Sequence, residues 1–219
     1  MLPLSIGGQN KALSTILCLG AHCDDIEIGC GGTLLKLLDD HKDLYVFWYI
    51  FSSTPSREAE ARRSSALFLS RTHYANVIVR DFSDGYLPFH GKAVKDCFED
   101  LKREISPDLI FTHSRHDRHQ DHRLIADMTW NTFRDHFILE YEIPKYEGDL
   151  ECPNYYVGLP PEVCDTKVKS ILECYTSQSN KTWFSADMFM ALLRLRGMEA
   201  NAASGLAEGF HCRKAVYGL

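Results

Sequence analysis

The sequence predicts an α/β fold, a Rossmann-like three-layer sandwich with a mostly parallel sheet. Three observations predict it. Short apolar runs alternate with segments whose apolar residues fall near a 3.6-residue spacing, the pattern of strands joined by crossover helices. Turn residues such as Ser106-Pro107-Asp108 stop one segment before the next begins. Two clusters rich in His and Asp each follow an apolar run, and open α/β sheets bind ligands at the carboxyl ends of their strands.

The elements follow in order. Ile16 to Ala21 reads as a buried strand and Gly32 to Leu38 as the helix after it. Leu44 to Phe51 is the second strand and Glu58 to Leu69 its helix. Asn76 to Val79, Ala93 to Ile105 and Leu109 to Thr112 continue the alternation, and His119 to Phe133 reads as helix. Phe137 to Tyr141 and Tyr155 to Gly158 are later strands. Pro160-Pro161 punctuates the chain before a helix over Glu162 to Tyr175, and Ala186 to Glu199 is an amphipathic helix. There is no internal repeat, and the one linker candidate, Gly148 to Pro153, is short. The chain therefore reads as one domain over residues 1–219, whose C-terminal third completes the sheet and roofs the site.

The chain has 219 residues, 45% of them hydrophobic and 25% charged, which supplies apolar material for one large core. A formal net charge of -6 argues against a dedicated nucleic-acid binder. No apolar run approaches the roughly 20 residues that cross a bilayer. Met1 to Ala12 lacks a basic region followed by a long apolar stretch, so no secretory signal and a cytoplasmic location are expected. The eight cysteines are then expected as reduced thiols, and no C-x-x-C pair suggests a zinc ribbon or thioredoxin-type site. The expected partner is a small molecule, and a homo-oligomer is compatible with the sequence.

The first cluster is Ala21-His22-Cys23-Asp24-Asp25, and the second is His119-Gln120-Asp121-His122. Catalytic zinc takes three protein ligands and keeps a position for water. Zinc and ferrous iron both accept imidazole together with carboxylate. The ligand set read here is His22, Asp25 and His122. Asp24 cannot share the ion with its neighbour without strain, so it is placed to take a proton from the metal-bound water. His119 then faces the reacting group, with Asp121 bonded to its ring to fix the tautomer. A water activator, a Lewis acid and an acid together suit hydrolysis of an amide. Adjacent aspartates are commonly turn or capping residues. His113, His116, His119 and His122 recur every three residues, so spacing alone does not choose among them. The coincidence of two clusters at two strand ends is what favours a metal site.

At these residues the chain resembles the LmbE-like, PIG-L-type metal-dependent N-deacetylases, which act on N-acetylglucosamine derivatives. The family motif Ala-His-Pro-Asp-Asp, continued as x-Glu-Ile-Gly-Cys-Gly-Gly-Thr, stands as Ala21 to Thr33, with Cys23 in place of proline. The second motif, His-x-Asp-His, stands as His119 to His122. Asp84-Gly85, Ser177-Gln178 and Ala207-Glu208-Gly209-Phe210 are weaker echoes in family order. The resemblance implies zinc on His22, Asp25 and His122, with Fe2+ as the other metal to test. It implies Asp24 as general base and His119 as acid or oxyanion stabiliser. An Arg-x-x-Glu after the second strand, Arg57-Glu58-Ala59-Glu60, implies that Arg57 binds substrate, with Arg62 and Arg63 as competitors.

The implied function is removal of an N-acyl group, foremost acetyl, from an amino sugar or its conjugate. The alternatives are a metal-dependent amidase on a non-sugar substrate and an inactive metal-binding protein of the same fold. Retention of Asp24 and His119, neither needed to hold a metal, counts against the inactive protein. Gly29-Cys30-Gly31-Gly32 is not a G-x-G-x-x-G fingerprint, which counts against a nicotinamide enzyme. Those glycines are expected to let the loop approach the metal and to start a helix. A Cys23 thiolate would be a strong zinc ligand, though a packed thiol is the expected reading. Tyr86, Trp183 and Phe210 are the aromatic residues considered for stacking on a sugar ring.

Overall fold

Alternate side chains of a strand point to opposite faces, so a strand apolar on both must be covered on both. The first strand shows this in the computed structural model, which describes residues 13–72 and 74–216. Within β1 (Thr15–Gly20), Ile16 and Cys18 enter one apolar core while Leu17 and Leu19 enter another. The expectation about Met1 to Ala12 lies outside the described residues.

The chain continues as α1 (Asp25–Asp40), β2 (Tyr45–Ser52), α2 (Pro55–Phe68) and β3 (Tyr74–Phe82). After a short 3-10 turn come α3 (Gly91–Glu104), β4 (Leu109–His113), α4 (Gln120–Thr132) and β5 (Phe137–Tyr141). It closes with β6 (Tyr155–Gly158), α5 (Pro161–Cys174), a second 3-10 turn, α6 (Ala186–Glu199) and β7 (Ala207–Cys212). The seven-stranded sheet has the order β3-β2-β1-β4-β5-β7-β6. The first five strands in that order are parallel; β7 runs antiparallel to both β5 and β6. Leu34, Phe68, Val168 and Leu193 from α1, α2, α5 and α6 build the core on one face. Phe98, Leu101 and Ile125 from α3 and α4 build it on the other. This is the three-layer α/β architecture that the alternation predicts.

Three differences from the sequence reading have physical causes. The helix expected from Gly32 begins at Asp25, immediately after the aspartate pair. Its glycines are interior packing positions rather than a loop: a Cβ at Gly29 would lie 2.2 Å from the Tyr141 ring, and one at Gly32 2.5 Å from Leu159. Neighbouring elements press on α1 so closely that only glycine fits. The strand expected over Asn76 to Val79 extends from Tyr74 to Phe82. The last strand, β7, has no continuous apolar run, because Glu208, Gly209 and His211 interrupt it. Flanked by β5 and β6, it gains its hydrogen bonds from both sides.

Glu208 also explains how a helix rich in glycine holds together. Its carboxylate accepts the Gly32 N–H at 2.8 Å and the Thr33 N–H at 2.7 Å, both in the middle of α1. The Lys167 ammonium donates to the Ile28 carbonyl at 2.7 Å and to Glu208 at 2.6 Å. One buried ion pair thus stitches α5 and β7 to the helix that begins at the site.

Candidate active site and metal centre

Strands β2 and β4 flank β1, so the crossovers leaving β1 and β4 diverge and open a crevice at their C-terminal ends. The Gly20 end of β1 leads into His22, Asp24 and Asp25, and the β4 end leads into Asp117, His119 and His122. Both expected clusters therefore meet at one place. They line a cavity of about 710 Å³, to which Arg57 after β2, Asp84 after β3 and Lys145 after β5 also contribute.

The proposed ligand atoms converge. His22 Nδ1 lies 3.1 Å from His122 Nε2 and 3.4 Å from Asp25 Oδ2, and His122 Nε2 lies 3.6 Å from Asp25 Oδ1. A tetrahedron with bonds of the length zinc makes to nitrogen and oxygen has edges of about 3.4 Å. Hydrogen-bond partners assign the tautomers. His122 Nδ1 donates to Asp117 Oδ2 at 2.9 Å, which leaves Nε2 bare. His22 Nε2 donates to Asp84 at 3.0 Å and to Asp121 at 3.2 Å, so Nδ1 is the ring atom turned toward His122. Two ring nitrogens and a carboxylate thus face one point, which a proton or a metal ion can occupy. The donor set fits a divalent ion of the zinc or ferrous type. His22, His119 and His122 also converge, as do Asp25, His113 and His122. In the latter, His113 Nε2 already accepts the Ala21 N–H at 3.0 Å, so that ring braces the loop.

The electrostatics agree. Burial, with His113 beside it, pushes His122 down to about 3, so the ring is neutral as a ligand must be. Burial acts to raise Asp25, but His122, His113 and His22 hold its carboxyl well below the usual range. Burial likewise opposes protonation of His22, yet Asp25, Asp121 and Asp84 raise it well above an ordinary histidine. A proton or a metal answers the same surrounding negative charge.

Asp24 is 5% exposed, and Arg57 Nη2 donates to its Oδ1 at 2.8 Å. Burial raises its pKa despite the opposing Arg57. Arg57 Nη1 donates to Ser177 Oγ at 3.0 Å, and the guanidinium sits 5.5 Å over the Tyr175 ring. Glu60, the fourth residue of the Arg-x-x-Glu element, accepts the Ser177 N–H at 2.8 Å and its hydroxyl at 2.6 Å. Two of the five donors of Arg57 thus hold the neighbouring aspartate and serine, and the side chain also lines the cavity. Arg62 points away and pairs with Glu58, and Arg63 donates to the Glu173 and Cys174 carbonyls at the end of α5.

The Asp121 carboxylate does not reach His119 as expected. It accepts the Gly85 N–H at 2.7 Å and the Leu87 N–H at 3.1 Å, so it pins the loop that carries Asp84. His119 is instead the N-cap of α4, its Nδ1 accepting the Asp121 backbone N–H at 3.3 Å. The tautomer is still set, by the main chain, with the proton on Nε2. The His119 ring lies 4.9 Å from His22 and 4.6 Å from His122, centroid to centroid.

Cys23 is 1% exposed, its Sγ against the Ser52 carbonyl, and burial pushes its thiol up to about 12. It stays protonated and packed. All eight cysteines are free. Of the aromatic residues considered, Trp183 lines the cavity, while Phe210 is core and Tyr86 is exposed outside the lining. Sequence reasoning missed Tyr146 and Lys145 on the cavity wall, and Asp117 behind His122. Asp84-Gly85 is visible in the sequence only as a weak echo.

Comparison with known proteins gives the family and the fold. The family model PIG-L, described as GlcNAc-PI de-N-acetylase, matches residues 17–133, from β1 to the end of α4. The chain belongs to the PIG-L family. The uncharacterized deacetylase YaiS of Escherichia coli K12 is 28% identical over 163 residues, covering 69% of this chain and 80% of YaiS. N,N'-diacetylchitobiose deacetylase from Pyrococcus horikoshii shares the fold with a TM-score of 0.69 and 21% identity, covering 91% of this chain and 83% of that one. GalB, the 4-carboxy-2-hydroxymuconate hydratase from Pseudomonas putida KT2440, shares it with a TM-score of 0.72 and 15% identity, covering 94% and 100%. The same fold thus serves a hydratase as well as deacetylases, so the reaction must be argued from the site.

Proposed function

We propose that this protein is a metal-dependent N-deacetylase that hydrolyses the N-acetyl group of an amino sugar or its conjugate. The observation that carries the reading is the convergence of His22 Nδ1, His122 Nε2 and the Asp25 carboxylate beside a buried, separately held Asp24. Family membership and a relative that deacetylates N,N'-diacetylchitobiose support the substrate class. His22, Asp25 and His122 would hold Zn2+ or Fe2+, which supplies Lewis acidity to polarise the amide carbonyl and lower the pKa of water. Free thiols throughout suit a reducing, cytoplasmic setting.

The chain's own groups do the rest. Asp24 accepts a proton from the attacking water as the carbon–oxygen bond forms. Its raised pKa makes it a stronger base than an exposed carboxylate. His119, with Nδ1 occupied by the Asp121 N–H, presents Nε2–H to the carbonyl oxygen as it gains charge and so acts as oxyanion stabiliser. The proton on Asp24 then passes to the leaving nitrogen as the carbon–nitrogen bond breaks, giving acetate and a free amine.

Metal analysis tests the ligand set. Protein purified without chelator is expected to carry about one ion per chain, and Asp25→Ala and His122→Ala to lose most of it. Full occupancy in both variants would sink the assignment. Arg57→Ala is expected to lower kcat at least about tenfold with metal retained, because the base loses its partner and its fixed direction. A change confined to KM would favour the substrate-ligand reading. Arg62→Ala, whose side chain pairs with Glu58 on the outer surface of α2, is expected to be near wild type.

A further inference from the structure

The cavity is larger than an acetamide needs, and its outer wall has a chemistry of its own. We infer that the group attached to the acylated sugar is uncharged or carries an ammonium, and is not a phosphate. This rests on the deacetylase reading above and adds to it the class of the leaving conjugate.

Both cations on the lining are already committed. Arg57 is paired with Asp24 at 2.8 Å. Lys145 is 11% exposed and donates to Asp117 at 2.9 Å and to Asp149 at 2.7 Å. An anionic conjugate would compete with these carboxylates for the same two cations. Against the two cations the lining sets Asp24, Asp25, Asp81, Asp84 and Glu147. Asp81, in β3, and Glu147, after β5, are exposed and have no ion-pair partner among the described residues. They approach from two separate elements.

Two aromatic side chains also stand on the wall. Trp183 and Tyr146 both line the cavity, and the Tyr146 hydroxyl is 3.2 Å from Thr182 Oγ1, which ties the segment after β5 to the one before α6. Carboxylates and aromatic rings on the wall of one cavity form a setting for an ammonium, which can gain from ion pairing and from ring faces. The same carboxylates repel a phosphate, so the site selects as much by refusal as by attraction.

The experiment uses the metal-loaded enzyme and three N-acetylated probes: chitobiose acetylated on one amine only, N,N'-diacetylchitobiose, and the phosphate-bearing GlcNAc-PI. Acetate release is expected to give kcat/KM for the ammonium probe at least about 100-fold above the phosphate probe at low salt, the ratio narrowing as salt is added. Asp81→Asn combined with Glu147→Gln is expected to shrink that ratio at least about tenfold. Equal or preferential use of GlcNAc-PI, or a ratio unmoved by the double substitution, would overturn the inference. Calorimetric titration with fully deacetylated chitobiose, and with the phosphate-bearing GlcN-PI, reads the same selectivity without turnover. Ammonium-selective binding with no acetate released from any probe would reject the deacetylase reading alone. Binding without charge preference would reject the inference alone.

Discussion

Asp24→Asn is expected to lower kcat by about 10²–10⁴-fold while the protein keeps its metal. The amide is nearly isosteric, and Arg57 can still donate to its oxygen, so the fold and the His22, Asp25 and His122 set stay in place. What disappears is the capacity to accept the water proton and return it to the leaving nitrogen. The defect should fall on kcat and kcat/KM alike, as for a group that acts only in the transition state. His119→Ala is expected to give a smaller loss, about 10²–10³-fold, the range seen when one oxyanion donor is removed. If Asp24→Asn turns over like wild type, the base lies elsewhere.

The largest expected effect on stability comes from Glu208→Ala. Its side chain and that of Lys167 are 3% and 4% exposed. Truncation leaves the Lys167 ammonium buried with only the Ile28 carbonyl, and strands the Gly32 and Thr33 N–H groups inside α1. Removing one partner of a buried pair costs about 3–5 kcal/mol. Urea unfolding should show that loss. Glu208→Gln, which keeps an acceptor oxygen, should recover part of it. A loss below about 1 kcal/mol would mean that α1 does not depend on this stitch. Because Asp24 and Asp25 open the same helix, Glu208→Ala should weaken metal binding as well.

The strand ends were legible because they rest on local signals. The apolar run before Ala21 and the one before Ser114 each name a buried parallel strand, and the polar residues after them must emerge at the sheet edge. The proposed ligands were read from residue type. The partners that tune those ligands were not legible, since spacing along the chain does not reveal which side chains meet. Asp117 sits five positions before His122, and Asp84 belongs to a different crossover from His22. Arg57 illustrates the limit: its motif marked it as functional, but only the packed structure shows it turned onto Asp24. The histidine series shows the same from the other side. Four residues at equal spacing divide into a brace at His113, a cap at His119 and the proposed ligand at His122, while His116 stands half-exposed beside Glu151. Strand β7 escaped detection because its polar residues serve α1 and the outer strands rather than an apolar face.

The most direct test of metal-dependent deacetylation is acetate release from N,N'-diacetylchitobiose by one preparation, followed through chelation and refilling. Activity is expected to vanish on removal of the ion and to return as about one equivalent of Zn2+ or Fe2+ per chain is restored. Undiminished turnover by metal-free protein, or no acetate from fully loaded protein on this and other N-acetylated amino sugars, would contradict the account.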